Sequence, residues 1–274
     1  MRSRRELLVA IGAAWLPLWG TAHAAWMTSP RPDGELFLIA HRGGVVDETH
    51  PENSPSSVEA AIARGYWMLE VDIRRSRDGQ AIVQHDPTFD RFYGVSRAVD
   101  QMTRPEIAEL RATPGDTRPM QFDELCARCA RRTRLMLDIK GADHPDAFYD
   151  SIVDSLRRHD LLETTYSLSG GRVPELTAGV VARAVDRRAL TAAIARGEPV
   201  ARTCFLFELG SVLDEEALKL CREHRVTPVA ALNTFRYEQA NVDHWKGAAA
   251  DARRLRSLGV RHFQIDSIYD RYFT

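Results

Sequence analysis

The sequence lacks the features of several large classes of protein. Its 274 residues carry a formal net charge of −1 with 27% charged residues. This balance gives no sign of a nucleic-acid-binding surface or of a charged, disordered tail. No internal repeat or low-complexity linker is visible. Because a chain of this length is able to bury a large core, the sequence favours one large α/β domain.

Cysteine is scarce, and the four cysteines are Cys126, Cys129, Cys204 and Cys221. Cys126 and Cys129 have the spacing of a metal or redox motif, but no second CxxC or nearby Cys/His pair completes a zinc site. The segment 122–131 has the pattern of one helix, which favours the interpretation of Cys126 and Cys129 as small buried helix residues. Export to an oxidising compartment would permit a disulfide without requiring one.

An apolar run long enough to span a bilayer comfortably is also lacking. The uncharged stretch Leu7–Trp19 is too short for that role. The arginine-rich start, Ser3–Leu8, resembles a twin-arginine export signal, and Ala22-His23-Ala24 has the small-residue pattern of a cleavage site. We expect residues 1–24 to be a signal peptide and the protein to be exported, periplasmic or secreted. An uncleaved membrane anchor is the alternative.

Apolar, strand-like runs alternate with amphipathic, helical stretches along residues 25–274. The eight runs are Leu36–Ala40, Trp67–Ile73, Ala81–Gln84, Leu135–Ile139, Thr165–Ser169, Thr203–Leu209, Pro228–Leu232 and His262–Ile265. The helical stretches are Pro55–Arg64, Ala147–Arg158, Ala182–Arg196, Asp214–His224 and Trp245–Leu258. Eight strands rich in Val, Ile and Leu with intervening helices predict parallel pairing in a (β/α)8 TIM barrel.

The connection from Gln84 to Leu135 is too long for a simple crossover. It predicts a small insertion after the third strand, at about residues 88–120. Within it, Thr103 to Glu106 has the pattern of a capping box, which predicts a short helix at Pro105–Arg111. An insertion on the catalytic side of a barrel commonly shapes the substrate pocket.

Two histidines follow apolar runs. His41-Arg42-Gly43 closes the run Leu36–Ala40, and His85 closes the run Ala81–Gln84. The carboxyl ends of barrel strands are where such enzymes place their catalytic groups. Either histidine alone is more often structural, but two of them flanking a group of carboxylates favour a general acid/base pair.

Carboxylates recur with a two-residue spacing on two of the predicted strands. Glu70 and Asp72 share one face of their strand, and Asp138 and Lys140 share one face of another. Bare carboxylates in an apolar interior repel each other and lose hydration. Glu70, Asp72 and Asp138 therefore predict a site for Mg²⁺ or Ca²⁺. The alternative is a structural ion-pair network with Lys140 and Arg42.

Arg42 and Lys140 add fixed positive charge of the kind that a phosphoryl group needs in its transition state. The set suits hydrolysis of a phosphodiester, with a metal ion polarising the phosphoryl oxygens. One histidine would act as base and the other would protonate the leaving alkoxide.

Six motifs follow one another in the first half of the chain: His41-Arg42-Gly43, Glu52-Asn53-Ser54, Glu70-Val71-Asp72, Asp78-Gly79, His85-Asp86-Pro87 and Leu137-Asp138-Ile139-Lys140. In order and spacing they resemble the glycerophosphodiester phosphodiesterases, in their exported bacterial form. Softer matches are Leu232-Asn233-Thr234 and Gly259–Asp266. The resemblance implies a barrel that hydrolyses glycerophosphodiesters, a small-molecule substrate, to glycerol 3-phosphate and an alcohol.

The resemblance also implies roles for single residues. His41 and His85 would be the acid/base pair, Arg42 and Lys140 the phosphate contacts. The metal ligands would be Glu70, Asp72 and Asp138. Glu52 and Asn53 would support the site, either by contacting the metal or its waters or by capping the helix at Pro55.

One position departs from the family pattern. The family usually has glutamate where Asp138 stands, whereas the related sphingomyelinase D-like branch has aspartate there. That branch, a phospholipase D-like phosphodiesterase on the same barrel, is the nearest alternative function. A barrel that only binds phosphodiesters is a second alternative, but such a protein would be expected to lack a histidine or a carboxylate of the set. The segment Thr164–Val200, in the half of the chain that should set the specificity for the alcohol, matches the family poorly. The sequence therefore does not identify the alcohol portion of the substrate.

Overall fold

Twelve strands and eleven α-helices are formed by the residues that the computed structural model describes, which are 36–113, 115–169 and 171–273. The strands are β1 (Phe37–Ala40), β2 (Met68–Arg75), β3 (Ala81–Val83), β4 (Thr88–Phe89), β5 (Val95–Ala98), β6 (Met120–Gln121), β7 (Arg134–Ile139), β8 (Thr165–Ser167), β9 (Ala182–Val185), β10 (Cys204–Leu209), β11 (Thr227–Leu232) and β12 (His262–Ile265). The helices are α1 (Pro55–Ala63), α2 (Asp90–Tyr93), α3 (Arg104–Ala108), α4 (Phe122–Cys129), α5 (Asp146–Arg158), α6 (Arg172–Leu176), α7 (Arg187–Ala195), α8 (Val200–Thr203), α9 (Glu215–His224), α10 (Thr234–Gln239) and α11 (His244–Ser257).

The expected signal peptide, residues 1–24, lies outside the described residues. Within the described ranges, every helix is too short or too polar to cross a bilayer.

Eight of the strands close into a parallel barrel. Their order around the ring is β1, β2, β7, β8, β9, β10, β11 and β12, and the ring closes because β1 pairs in parallel with both β2 and β12. The predicted (β/α)8 barrel is therefore confirmed. The apolar residues of each strand alternate between two cores. Ile39, Met68 and Met136 fill the interior of the barrel, whereas neighbours such as Leu69 and Leu137 pack against the helices.

The ring uses one strand that the sequence did not predict and omits one that it did. The prediction of Ala81–Gln84 as a barrel strand is wrong, because β3 runs antiparallel to the end of β2. The missing strand is β9, which lies in Ala182–Arg196, where helix was predicted throughout. Ala182 and Ala184 face the interior of the barrel. A four-residue, alanine-rich strand directly before a helix does not separate from that helix by periodicity.

The insertion follows the third strand in chain order, as predicted, and has a core of its own. Phe89, Val99, Met102 and Ile107 pack with Ile82 in a cluster separate from the barrel. The capping box forms, since Glu106 accepts hydrogen bonds from the backbone N–H and hydroxyl of Thr103. The helix that it starts, α3, ends at Ala108 instead of Arg111.

The other predicted helices are present, with ends that differ by one or two residues. Asp214 and Asp243, each the residue before a helix, accept backbone N–H groups at the starts of α9 and α11. All four cysteines are buried and free. Cys126 and Cys129 lie on α4, in agreement with their interpretation as small buried helix residues.

Candidate active site

Carboxylates from two neighbouring strands face the interior at the carboxyl end of the barrel. Met68 belongs to the interior core, and the two-residue alternation brings Glu70 and Asp72 to the same face of β2. On β7 the alternation turns Met136 and Asp138 inward, and the register pairs Asp72 with Asp138. Glu70 and Asp72 are each only 1% exposed, so their charges are felt at short range and with little screening by water.

The three carboxylates form one cluster with a single ammonium group. Glu70, Asp72 and Asp138 each offer an oxygen atom, and these atoms lie within 4.8 Å of one another. Lys140 Nζ lies 2.8 Å from Asp72 Oδ1 and 2.6 Å from Asp138 Oδ2. Burial and the charges of both aspartates raise the pKa of Glu70 well above its ordinary value. Burial also opposes ionisation of Asp72, but the positive charge of Lys140 holds the pKa of Asp72 below its ordinary value.

Asn53 holds Asp72 from the loop before α1. Its Nδ2 donates a hydrogen bond to Asp72 Oδ2 at 2.8 Å, and the backbone N–H of Asp72 donates to Asn53 Oδ1 at 3.3 Å. The helix cap is the next residue, Ser54, whose hydroxyl accepts the backbone N–H of Ser57. Of the two expectations for Asn53, capping is therefore wrong, and the side chain contacts the carboxylate cluster.

The tight turn after β1 directs a backbone donor to the same cluster. Arg42 has a φ of 55°, and its N–H donates to Glu70 Oε2 at 2.8 Å. Gly43 follows with a φ of 78°, and a Cβ atom at this position would lie 2.7 Å from the Cα of Asn53. The position needs glycine for its backbone conformation and for this close approach. The turn is thereby packed on the residue that orients Asp72.

His41 is held by a carboxylate from the last barrel strand. Its Nδ1 lies 2.6 Å from Asp266 Oδ1, and its Nε2 lies 3.9 Å from Glu70 Oε2. The second oxygen of Asp266 accepts the backbone N–H and the hydroxyl of Thr234, at 2.6 and 2.7 Å. Burial opposes ionisation of Asp266, but the hydrogen bonds from His41 and Thr234 lower its pKa to about 2. The ionised carboxylate only accepts, so His41 donates from Nδ1, and its second ring nitrogen, Nε2, is the one that faces Glu70.

Sequence reasoning gave Asp266 no role. The available signal was its place directly after the last apolar run, because a closed barrel brings its last strand beside its first. The register pairs Ile265 with Ala40, so the next residues, Asp266 and His41, are neighbours across the mouth.

His85 reaches the mouth by a different route from the one predicted. It does not end a barrel strand, because β3 runs back along β2, and Gln84 donates its backbone N–H to the carbonyl of Asp72. The returning strand brings His85 to the level of the carboxylates. His85 Nδ1 lies 2.8 Å from Asp86 Oδ1, and its Nε2 lies 3.4 Å from an Nη atom of Arg42. Both histidines are therefore held by an aspartate at Nδ1.

Glu52 contacts the arginine of the turn. One of its oxygens accepts a hydrogen bond from Arg42 at 3.0 Å. Its side chain is 5% exposed, which makes the pair more than a solvent-screened surface contact. Glu52 therefore supports the site by orienting Arg42.

A cavity of about 290 Å³ opens beside His41 and Arg42. Its walls are mixed: Asp266 and Thr234 lie on one side, and apolar groups are contributed by Val46, Phe235 and Ile268. The Phe235 ring stacks on the His41 ring, with 6.1 Å between their centroids and 25° between their planes. The volume and the mixed lining suit a small polar molecule with a short apolar part.

The carboxylate cluster fits a hard divalent cation. It offers three oxygen donors from Glu70, Asp72 and Asp138, and burial together with the two neighbouring negative charges raises the pKa of Glu70. Oxygen donors of this kind bind Mg²⁺ or Ca²⁺. Asp138 reaches the other two carboxylates in spite of its short side chain. A second group, Glu52, His85 and Asp86, also lies within 4.8 Å, but the arginine contacts of Glu52 already neutralise part of its charge.

Comparison with known proteins agrees with this geometry. Residues 41–147, which include all of the residues predicted for the site, match the model of the glycerophosphoryl diester phosphodiesterase family. The "Probable glycerophosphodiester phosphodiesterase 2" of Mycobacterium tuberculosis is 31% identical over 109 residues, which are 40% of this chain and 40% of that protein. The human "Lysophospholipase D GDPD3" is 28% identical over 172 residues, 58% of this chain and 52% of that protein. The match thus spans about half or less of these curated relatives.

The barrel itself is shared over most of its length with solved structures. A phosphodiesterase from Oleispira antarctica superposes with a TM-score of 0.67 over 85% of this chain and 94% of that chain, at 17% sequence identity. At that identity the likeness shows the fold. Together with the match of residues 41–147, it supports one conclusion: the chain has the barrel fold of these solved structures and carries the sequence pattern of the glycerophosphoryl diester phosphodiesterase family over residues 41–147.

Proposed function

We propose that this protein is a phosphoric diester hydrolase that converts glycerophosphodiesters to glycerol 3-phosphate and an alcohol. One observation carries the proposal: three inward carboxylates lie beside two histidines, His41 and His85, each held at Nδ1 by an aspartate. The names of the relatives support it, and the Oleispira antarctica phosphodiesterase was solved in complex with its product sn-glycerol-3-phosphate. The cofactor is a divalent cation, Mg²⁺ or Ca²⁺.

The carboxylates Glu70, Asp72 and Asp138 would hold the cation, with Asn53 fixing the orientation of Asp72. When bound, the cation supplies polarisation of the phosphoryl oxygens and stabilises the charge that develops on them. The backbone N–H of Arg42 directs Glu70. These residues are positioned before the substrate arrives, so little reorganisation is required during the reaction.

The two histidines move the protons. His41 donates from Nδ1 to Asp266, and His85 donates from Nδ1 to Asp86, so each Nε2 is the atom that exchanges a proton. One imidazole takes a proton from the attacking water as the new P–O bond forms. The other gives a proton to the alkoxide as its P–O bond breaks. Hydrolysis then yields the phosphate monoester and the free alcohol.

Arg42 and Lys140 bind the phosphoryl group. Arg42 lies between Glu52 and His85, with its guanidinium at the cavity beside His41. Lys140 is held at the carboxylates by Asp72 and Asp138, whose charges raise its pKa against the effect of burial. It stays protonated beside the carboxylates that would hold the cation, where its ammonium group would bind an oxygen of the phosphoryl group.

The test is release of glycerol 3-phosphate from glycerophosphocholine by the purified protein, with and without a chelator. We expect turnover that a chelator abolishes and that added Mg²⁺ or Ca²⁺ restores. Turnover that a chelator leaves unchanged would refute the metal assignment. Binding of glycerophosphocholine without turnover would instead identify a barrel that only binds phosphodiesters.

The second candidate is a phospholipase D-like activity on lysophospholipid or sphingomyelin. Asp138 favours it, because the sphingomyelinase D-like branch has aspartate at that position, and one relative is named a lysophospholipase D. The same assay separates the two functions. Release of choline from lysophosphatidylcholine or sphingomyelin, with no turnover of glycerophosphocholine, would replace the first proposal by the second.

We also propose that residues 1–24 export the protein. The proposal rests on the arginine-rich start and the Ala22-His23-Ala24 pattern. Expression of the full chain in a bacterium, fractionation and N-terminal sequencing would test it. A periplasmic or secreted product that begins at Ala25 is expected, and a chain that keeps residue 1 in the cytoplasmic fraction would contradict it.

A further inference from the structure

A closed ring of polar contacts joins His85 to Arg42 by two routes. Directly, an Nη atom of Arg42 lies 3.4 Å from His85 Nε2. By the longer route, His85 contacts Asp86, Asp86 contacts Arg91, Arg91 contacts Glu52, and Glu52 contacts Arg42. We call these five residues the arginine ring.

Arg91 is the one member of this ring that the insertion contributes. Arg42 and Glu52 lie between β1 and α1, and His85 and Asp86 follow β3 after one intervening residue, Gln84. Arg91 lies on α2, where its guanidinium is packed over the ring of Phe92, 4.7 Å from the ring centroid. The backbone N–H of Thr113 donates to the carbonyl of Phe92, which ties α2 to the far end of the insertion.

The guanidinium of Arg91 binds two carboxylates at once. Its Nε donates to Asp86 Oδ2 at 2.8 Å, and an Nη atom donates to Glu52. Oxygens of Glu52 and Asp86, with a nitrogen of His85, lie within 4.8 Å of one another, so the two carboxylates repel each other unless a cation lies between them. A planar guanidinium with a fixed set of donors holds both in one geometry.

Each of these carboxylates presents its other oxygen to a residue of the proposed machinery. Glu52 accepts from Arg42 at 3.0 Å, and Asp86 lies 2.8 Å from Nδ1 of His85. Loss of the two hydrogen bonds from the Arg91 guanidinium would leave Asp86 free to turn away from His85. It would also leave Glu52 free to move together with Arg42. The effect would reach the reacting groups without any contact of Arg91 with them.

We propose that Arg91 is a positioning residue, through which the insertion fixes the orientation of His85 by way of Asp86 and that of Arg42 by way of Glu52. The proposal rests on the proposed phosphodiesterase function for its kinetic consequence. Its structural consequence, the fixed environment of the His85 imidazole, does not depend on that function.

The kinetic test compares Arg91→Gln with Arg97→Gln in the full-length protein. Arg97 also lies on the insertion, is similarly exposed at 48% against 41%, and pairs with a glutamate, Glu106, at 3.0 Å. We expect Arg91→Gln to lower kcat on glycerophosphocholine about 10- to 100-fold, with KM changed less than about threefold. Arg97→Gln should match the wild type. Arg91→Lys should recover part of the loss, because it keeps the charge but not the fork.

A double-mutant cycle shows whether Arg91 acts through Asp86. If it does, Arg91→Gln added to Asp86→Asn should lower kcat by clearly less than it does in the wild type. Full additivity would contradict the route through Asp86. An increase in KM at unchanged kcat would also overturn the proposal, because it would show direct binding of substrate by Arg91, which lines the cavity.

The third measurement is independent of turnover. In ¹⁵N-histidine-labelled protein, Arg91→Gln should shift or broaden the Nδ1–H signal of His85, assigned by its loss in His85→Ala. Arg97→Gln should leave that signal in place. An unchanged signal in folded Arg91→Gln would overturn the positioning role of Arg91, whether or not the wild type hydrolyses glycerophosphodiesters. If the signal shifts but the wild type has no activity, the positioning role stands and only the proposed function is refuted.

Discussion

The two ends of the barrel are made by the same strands and have opposite chemistry. At the carboxyl end, β1 and β12 lead into His41 and Asp266, and β2 and β7 carry the carboxylate cluster. At the amino end, the same four strands begin beside aromatic and imidazole side chains. Phe37 stacks on His262 with 4.5 Å between centroids, and the edge of Trp67 meets His262 at 5.2 Å.

The difference between the ends is clearest for two histidines. His41 faces the carboxylate of Asp266 at 2.6 Å. His262 faces aromatic rings, and burial together with the positive charge of Arg134 lowers its pKa to about 4. The partner of His41 fits its proposed role in proton exchange, whereas His262 is kept neutral as a packing residue. The residue type is the same, and the partner that the fold supplies decides its role.

The largest predicted effect is a difference in kcat between variants of the histidines at the two ends of the barrel. We expect His41→Ala and His85→Ala each to lower kcat about 10²- to 10⁴-fold, because each removes a positioned acid or base. His262→Phe should leave kcat within about twofold, since the ring packing is kept and no group at the mouth changes. Steady-state kinetics on glycerophosphocholine would measure all three. Full activity of His41→Ala would remove the main distinction between the ends.

The second effect concerns the dependence of stability on a cation. Mg²⁺ or Ca²⁺ at about 100 times its Kd should raise the free energy of unfolding by about 2.7 kcal/mol. Glu70→Gln should lose most of that gain, yet in a chelator it should be at least as stable as the wild type, because a carboxylate with a raised pKa has been removed from the cluster. Urea unfolding with and without the cation would measure both differences.

A matched control for this effect is Glu59→Gln. Glu59 pairs with Arg132 on the surface of the molecule, at 2.8 Å. The cation should stabilise this variant as much as it stabilises the wild type. An equal gain in Glu70→Gln would show that the cation binds elsewhere.

The sequence allowed much of this end of the barrel to be predicted. Alternation along the strand placed Glu70 and Asp72 on one face, because a strand in a barrel has a period of two residues. His85 was expected at the mouth, but as the end of a barrel strand, whereas an antiparallel return along β2 brings it there. Periodicity within a segment does not reveal the direction in which that segment pairs.

Other features depended on contacts between distant parts of the chain. Asp266 lies 225 residues after His41, and only closure of the barrel brings the two together. Arg91 reaches Asp86 and Glu52 from an insertion whose path over the mouth no local pattern indicates. The strand β9 was missed because its alanines favour helix as an isolated segment, and packing in the ring overrides that preference.

The third effect tests the carboxylate that holds His41. Asp266→Asn keeps the shape of the side chain but removes the charge that favours a donating Nδ1. We expect kcat to fall about 10- to 100-fold, as for other groups that orient a reacting residue. Thr234→Val is the graded comparison, since it removes one of the hydrogen bonds to Asp266 and should have a smaller effect. An Asp266→Asn enzyme with the kcat of the wild type would show that His41 does not need this partner.

The smallest effect belongs to the amino end and concerns stability against pH. The pKa of His262 is about 4 in the folded protein and 6.5 as its ordinary value. As pH falls from 6.5 to 4, the unfolded chain binds a proton at this site and the folded protein does not, so the free energy of unfolding decreases. The decrease is at most about 3 kcal/mol, and less because His262 is partly exposed. Between pH 6.5 and 4, His262→Phe should therefore lose less stability than the wild type. Urea unfolding at each pH would measure this difference. Above pH 7 the free energy of unfolding should follow the same trend in both proteins. Parallel curves for the two proteins over the acidic range would show that His262 is protonated within the fold, and the two ends of the barrel would then not differ in how they hold a histidine.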